Sequence, residues 1–496
     1  MWQNSLYLRH LTEKNRAKAG GWLAVLLALV FTLGAGARAF AYPPALPASP
    51  NPIADTPAAT LLLPNFEVDL VNPTGVTTLF SIVNASPDPQ IAHVILWSDL
   101  SVHVLDFDVW LTGYGLYRLN LRDLLVNGVT PPTGPNGISH VGALSEAPTA
   151  PMVASCAGIL PLPNVPLAQL VGVQQALTGQ ASVELGGLCA GVAHGDNIAR
   201  GYVTIDDVSV CNVLLAPGDE GYTGTPGTPG NLPRVLADNN VLWGDEFHIN
   251  LRANKSYAQN LVHIKANPGS DTAPGFAAGD YTFYGRYDYS AYSSIDTPAP
   301  GAKAWQAYDQ REPLPTTFLS RYITPTSPEG ALFFNSGTTE VVWRDSKVDQ
   351  DAFTCPAGLG NPPWFGLSQE GIAVFDEQED VETPPTCHFS PCPPISVPGF
   401  PAETQQLEIG GPLFPTTFDA GWLWLDLNHA NPSGSFPGLN DPLEASSWVF
   451  YSYANTSPNA LQSYRVAERA IQLDTGNAPN HCTPNTPVGT ICNDQD

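Results

Sequence analysis

Apolar residues along this chain come in short runs broken by clusters of turn formers, and long stretches with helical spacing are nearly absent. TTLFSIV (77–83) is followed by NASPDPQ and then by IAHVILW (91–97). Two β-branched runs about a turn-rich loop predict a hairpin. In the second run Ile91, His93, Ile95 and Trp97 share one face, and Ala92, Val94 and Leu96 the other. Both faces are largely apolar, so this strand is expected inside a layered structure, with His93 a satisfied core histidine. Further strands are predicted at 104–111, 201–210, 260–266, 279–288, 371–377, 421–427, 446–454 and 465–474. A second hairpin is predicted over 331–343, with Asn335-Ser336-Gly337 as its turn. Helical spacing is confined to PLAQLVGVQQALTG (166–179), carried by Leu167, Leu170, Val171, Gln174 and Leu177, and to LNLRDLLVNG (119–128), stopped at Gly128.

Four of the apolar runs close on Trp-x-Asp: Trp97/Asp99, Trp243/Asp245, Trp343/Asp345 and Trp424/Asp426. Their unequal spacing excludes a solenoid or propeller repeat. Residues i and i+2 of a strand share a face, so an indole beside a carboxylate could stack on a sugar ring and accept from its hydroxyls. These eight residues are therefore the ligand-binding candidates. The competing account makes each Trp the last buried residue of a strand and each Asp the cap of the turn after it. It is favoured because burying an indole is worth roughly 4–6 kcal/mol as an upper figure, against about 1 kcal/mol for a turn hydrogen bond.

Composition fixes the class. With 43% hydrophobic and 10% aromatic residues the chain can fill sizeable cores, while 49 prolines and 44 glycines demand many turns. The expectation is an all-β protein of two immunoglobulin-like or related β-sandwich units, with long loops and a few short helices. By composition, 1–41 is a signal peptide and 42–60 a Pro/Ala-rich leader. The units are placed at 61–213 and 234–478, with a Gly/Pro/Thr-rich linker or loop at 214–233 between them. Residues 479–496 form a C-terminal tail.

The N-terminal reading rests on Arg9, Lys14, Arg16 and Lys18, the apolar run GGWLAVLLALVFTLGAG, and Ala39-Phe40-Ala41 as an A-x-A cleavage site. Export to the periplasm, the cell surface or the medium is expected, with no membrane association after cleavage. Loss of residues 1–41 removes five basic side chains and one acid. That leaves 15 basic and 45 acidic groups, so the net charge moves from −26 to about −30. Such a field repels phosphate backbones, and nucleic acid is excluded as a partner. A glycan or cell-surface partner is the expectation that remains. Eight cysteines in an exported chain predict disulfides among Cys156, Cys189, Cys211, Cys355, Cys387, Cys392, Cys482 and Cys492. Cys482–Cys492 and one bridge within the first three are the first choices. Three cysteines precede the linker and five follow it, so full pairing needs at least one bridge across it.

Catalytic signatures are missing. No G-x-S-x-G, H-E-x-x-H, Walker loop or G-x-G-x-x-G is present, and no catalytic or cofactor-binding residue is assigned. Calcium is the sole cofactor considered, with Asp426, Asn428 and Asn431 of DLNHANPSG as oxygen ligands, although the loop lacks the D-x-[DN]-x-[DN]-G pattern. TTLFSIVNAS…AHVILWSDLSVHVLDFDVWLTGYGLYRLNLRDLL, IARGYVTIDDVSVCN, NVLWGDEF and GDYTFYGRYD resemble a loose family of exported bacterial β-rich proteins with no assigned activity. The resemblance implies export and a β-rich fold and transfers no site. The expected role is an extracellular binding or structural component. A secreted carbohydrate-active enzyme using paired carboxylates and a calcium-dependent surface module are the alternatives.

Overall fold

A computed structural model describes residues 55–212, 214–217, 219, 221–223, 235–267, 282–284, 311–327, 335–345, 352–355, 369–382, 402–429, 446–455 and 463–473. Along the chain run β1 (Thr60–Asp69), β2 (Val76–Asn84), β3 (Gln90–Ser98), β4 (His103–Leu111), β5 (Leu116–Asn120), α1 (Leu121–Asn127), α2 (Ala150–Ser155), α3 (Leu167–Leu177) and β6 (Ile198–Val208). Then follow β7 (Leu242–Asn250), β8 (Lys255–Asn260), β9 (Val262–Ile264), β10 (Thr317–Ile323), β11 (Thr338–Arg344) and β12 (Gln369–Asp376). The described chain closes with β13 (Thr404–Glu408), β14 (Ala420–His429), β15 (Ser447–Asn455), β16 (Tyr464–Arg469) and β17 (Ile471–Gln472).

The described strands form four antiparallel sheets, an all-β, sandwich-like arrangement. Sheet I has the order β5-β2-β7-β8, sheet II β4-β3-β6-β1-β9, sheet III β13-β11-β15-β16 and sheet IV β12-β14-β10-β17. Their apolar faces stack them in that order. Leu61, Leu63, Ala92, Val94, Leu96 and Val203 of sheet II meet Phe80, Ile82 and Leu242 of sheet I. The opposite face of sheet II, with Leu62, Ile91, Ile95, Trp97 and Tyr202, meets Val341, Trp343, Trp448 and Phe450 of sheet III. Val342, Val449 and Tyr451 then pack on Phe318, Leu423 and Leu425 of sheet IV. The alternation read in IAHVILW is thus resolved residue by residue: 92/94/96 face one neighbouring sheet and 91/95/97 the other, which is why neither face is polar.

The hairpin predicted over 77–97 does not form. β2 pairs with β5 and β7, and β3 with β4 and β6, so the NASPDPQ loop crosses from sheet I to sheet II. Apolar runs on both sides of a turn specify two layers as readily as two neighbours, and here burial of both faces of β3 decides it. Likewise β11 pairs with β13 and β15 and not with a strand immediately before it, and residues 331–334 lie outside the described set. The Gly/Pro/Thr-rich stretch 214–233, expected as a linker or a loop, has strands of shared sheets on both of its sides. Beyond it β7 pairs along the length of β2, and β9 adds to β1.

The helices obey their caps. Asn120 accepts from the Arg122 amide at the start of α1, and Gly128, at φ 68°, ends it. In α3 the buried residues are Leu170, Gly172, Val173, Ala176 and Leu177, whereas Leu167 and Val171 are exposed. The buried face is rotated from the predicted one because Gly172 seats against Glu184: a Cβ there would lie 2.3 Å from that side chain.

Among the described residues two disulfides are present, Cys156–Cys211 and Cys189–Cys355. The first lies within the three early cysteines. The second is the bridge across the 214–233 stretch that the cysteine count required. Cys387, Cys392, Cys482 and Cys492 lie outside the described residues. No described helix is long and apolar enough to cross a membrane.

Candidate functional site

The cleft that stands out is built at the edge of sheets I and II, where the chain passes from β4 to β5 through Thr112-Gly113-Tyr114-Gly115. The turn is specified locally. Tyr114 donates its amide to the Ser86 carbonyl at 2.9 Å, and Gly115 donates to Thr112 at 2.8 Å. A Cβ on Gly113 would lie 1.9 Å from the Pro87 carbonyl oxygen, so only glycine lets the turn seat on the β2–β3 loop. Between the glycines Tyr114 holds φ 57° and is 54% exposed. An aromatic residue in that left-handed conformation costs of order 1–2 kcal/mol, and such strain concentrates at functional sites.

The opposite wall is the 128–149 loop, stitched along the edge of β4 by hydroxyls. Thr133 accepts from the Trp110 amide (3.0 Å) and donates to the Trp110 carbonyl (2.6 Å), standing in for a missing neighbouring strand. Thr112 donates to the His140 carbonyl, Ser145 to the Gly113 carbonyl, and the Glu146 amide to Pro87. Asn136 and Gly137, both at positive φ, turn the loop at its tip. The space left has a volume of about 550 Å³, within the usual size range of small-molecule sites. Trp110, Tyr114 and Tyr117 supply rings. Ile138 and Leu144 supply apolar surface, and Thr112, Thr133, Ser139, His140 and Ser145 supply polar groups. Among the described residues no Asp, Glu, Lys or Arg lines it. Burial raises the Tyr117 phenol well above its ordinary value, so Tyr117 stays neutral.

The residues singled out by sequence lie elsewhere. Trp97 and Trp343 are each 2% exposed in the layer between sheets II and III. Trp97 stacks on Tyr202 with ring centroids 5.9 Å apart and gives its indole proton to Thr204, and Tyr202 meets Trp343 edge-on at 5.8 Å. Asp99 accepts from the Val192 amide and from His194, and its carbonyl accepts the Glu403 amide, linking sheet II to the entry of β13. Asp345 and Asp426 are brought together electrostatically. Both act on the Arg344 guanidinium, which is fully buried and donates to the Leu427 carbonyl. Burial pulls Arg344 down to about 9, with the two carboxylates opposing that shift. Asp245 accepts from Ser81, and Trp243 lies 5.8 Å from the His263 ring. The Asp426 charge is thus answered by a protein cation. The Asn428 side chain and Asn431 lie outside what the structure describes. Among the described residues no group of His, Cys, Asp and Glu is arranged to hold a metal ion.

A second concentration of ionisable groups lies in the core. His93 stands directly opposite Asp108 on β4 and Asp206 on β6, and Asp206 opposite Thr60 on β1, a row across four strands. His93 Nδ1 is 2.8 Å from Asp108, whose other oxygen accepts the Asn212 amide at 2.6 Å. Tyr222 and Tyr284 donate to Asp206 at 2.6 and 2.7 Å, and Arg311 donates to Thr60. His93, Asp108, Asp206, Thr60 and Arg311 are all 0% exposed. Desolvation opposes the charge on His93, but Asp108, Asp106 and Asp206 outweigh it and hold the imidazole above its ordinary value. The buried row fastens Tyr222, Tyr284 and Arg311 to sheet II.

No known family, curated protein or solved structure matches the chain. The signal for the cleft that sequence reading passed over is the GYG tripeptide between two strands, followed by the apolar, Pro/Gly-rich VTPPTGPNGISHVGAL.

Proposed function

We propose that the protein is an exported binding component that holds an uncharged ligand in the cleft between the Thr112–Gly115 turn and the 128–149 loop. One observation carries this reading. In a chain of net charge −26, a concavity of about 550 Å³ has three aromatic rings in its lining and no charged side chain. A charged ligand would surrender its hydration there without a counter-ion, whereas a neutral amphipathic one loses little. A nucleic acid fits worst, since the protein's field and the cleft's lack of cations both oppose phosphate. The alternative of a carbohydrate-active enzyme needs two carboxylates across the ligand, and this lining has none. Export is supported by the A-x-A-terminated apolar segment and by the two disulfides.

The test is direct. Saturation-transfer NMR against a library of neutral and charged small molecules identifies binders of the full chain. Titrations of Tyr114→Ala then place them. Removing the exposed ring is expected to weaken neutral binders about tenfold, the equivalent of about 1.4 kcal/mol of lost contact, with thermal stability retained. Binders that are all charged, or that ignore the substitution, refute the assignment.

A further inference from the structure

We infer that the cleft's ligand is a neutral saccharide, an inference that rests on the binding reading above and adds the ligand's chemical class. It follows from counting hydrogen-bond capacity. Each hydroxyl has one proton to give and two lone pairs to receive with. Thr112 gives its proton to the His140 carbonyl, Thr133 to the Trp110 carbonyl and Ser145 to the Gly113 carbonyl. Each proton is spent on holding the loop. Thr133 takes the Trp110 amide and stands 3.4 Å from the Ser139 hydroxyl, which fills it, while Thr112 and Ser145, the latter taking only the Gly142 amide, keep acceptor capacity. The Thr112 and Ser145 hydroxyls are therefore acceptors toward a ligand.

A complementary ligand brings donors of its own, carries no charge, and presents an apolar face to a ring. Fatty chains and sterol-like skeletons meet the last two conditions and fail the first. Ammonium-bearing donors fail the second, because no carboxylate lines the cleft. A pyranose meets all three. Its hydroxyls point outward as donors, and the C–H face left between them covers a ring such as Tyr114, which the GYG turn holds 54% exposed. The remaining open side allows a chain end to enter with further sugar units outside.

Isothermal titration of the full-length mature protein with neutral tetrasaccharides of glucose, xylose and mannose, alongside their fully O-methylated forms, tests this. The neutral apolar dye N-phenyl-1-naphthylamine serves as a control probe of the cleft. At least one free tetrasaccharide is expected to bind, to lose about tenfold in affinity in Tyr114→Ala, and to lose about tenfold or more on methylation, which removes every donor and keeps the ring. Equal binding of the methylated form overturns the donor argument, and saccharide binding indifferent to Tyr114→Ala overturns the location. Dye binding sensitive to Tyr114→Ala with no saccharide bound overturns the saccharide and leaves the cleft. Neither probe bound overturns both readings.

Discussion

Glu340 sets the sharpest stability test. It lies on β11 between sheets III and IV, 1% exposed, with Ser320 donating to Oε1 at 2.7 Å and no partner for Oε2 among the described residues. Burial raises its carboxyl from the ordinary 4.5 to about 8, and the Ser320 bond recovers only a fraction of the cost. An acid whose pKa is higher in the folded chain than in the unfolded one binds its proton more tightly when folded. Its cost to stability is absent below 4.5, grows as pH rises, and levels off above about 8. At about 1.36 kcal/mol per pH unit the cost is under 1 kcal/mol at pH 5, about 3 kcal/mol at pH 7 and roughly 5 kcal/mol at pH 9. Glu340→Gln keeps the shape and an acceptor for Ser320 while removing the titration. Any fixed cost of the amide is the same at every pH, so the informative quantity is the change in the gap between variant and parent. Differential scanning calorimetry from pH 5 to pH 9 should show the variant gaining several degrees on the parent, with the gain concentrated between about pH 5 and pH 8. A constant gap across that range would refute the claim that this carboxyl is folded in neutral.

The parent itself should be more stable in mild acid than in mild alkali. Asp207, at about 8, and Glu312, at about 7, are raised by burial like Glu340, and the protonated His93 loses its share as pH rises, so melting points measured from pH 6 to pH 9 should fall. His263, held down to about 4 by burial, works the other way and limits stability only as pH drops below 6.5. Asp206→Ala strips the acceptor from Tyr222 and Tyr284 and a counter-charge from Arg311, and should cost about 3–5 kcal/mol in chemical denaturation. Gly113→Ala puts a methyl against the Pro87 carbonyl and should abolish cleft binding, read by the same titrations as Tyr114→Ala, while the far sheets still melt cooperatively. Replacing Cys189 and Cys355 together by Ser frees a link between residues 166 apart in sequence and should lower stability by up to about 5 kcal/mol, less any residual order in the unfolded chain.

Sequence made the class legible because strand period and turn chemistry are local. The two-faced burial of β3, the cap and stop of α1 and the core character of His93 all follow from residues within a few positions of one another. Partner choice was not legible. Nothing in TTLFSIV or IAHVILW tells a strand whether the next one lies beside it or above it, and nothing in the composition of 214–233 tells that strands before and after it share sheets. Nor could spacing reveal that Asp345, just past the end of β11, and Asp426 on β14 act on one guanidinium, or that Asp206 gathers Tyr222, Tyr284 and Arg311.

The same division explains why the conspicuous motif and the candidate site are different residues. Trp97 and Trp343 recur at strand ends because four stacked sheets have three interior layers to fill, and Tyr202 joins both indoles in the middle one. A residue recruited by packing is repeated wherever packing repeats. The cleft depends instead on features that occur once. Gly113 fits a single carbonyl, Tyr114 accepts a strained backbone, and Thr133 imitates a strand partner at an edge that would otherwise stay unpaired. Covering the edge of β4 already requires a loop there. That loop would need only its hydroxyls to close the edge, so the exposed Tyr114, Ile138 and Leu144 around an uncharged hollow are surplus to stability. Exposed apolar side chains gathered around a concavity are costly to keep in water, and ligand binding is the function that accounts for them.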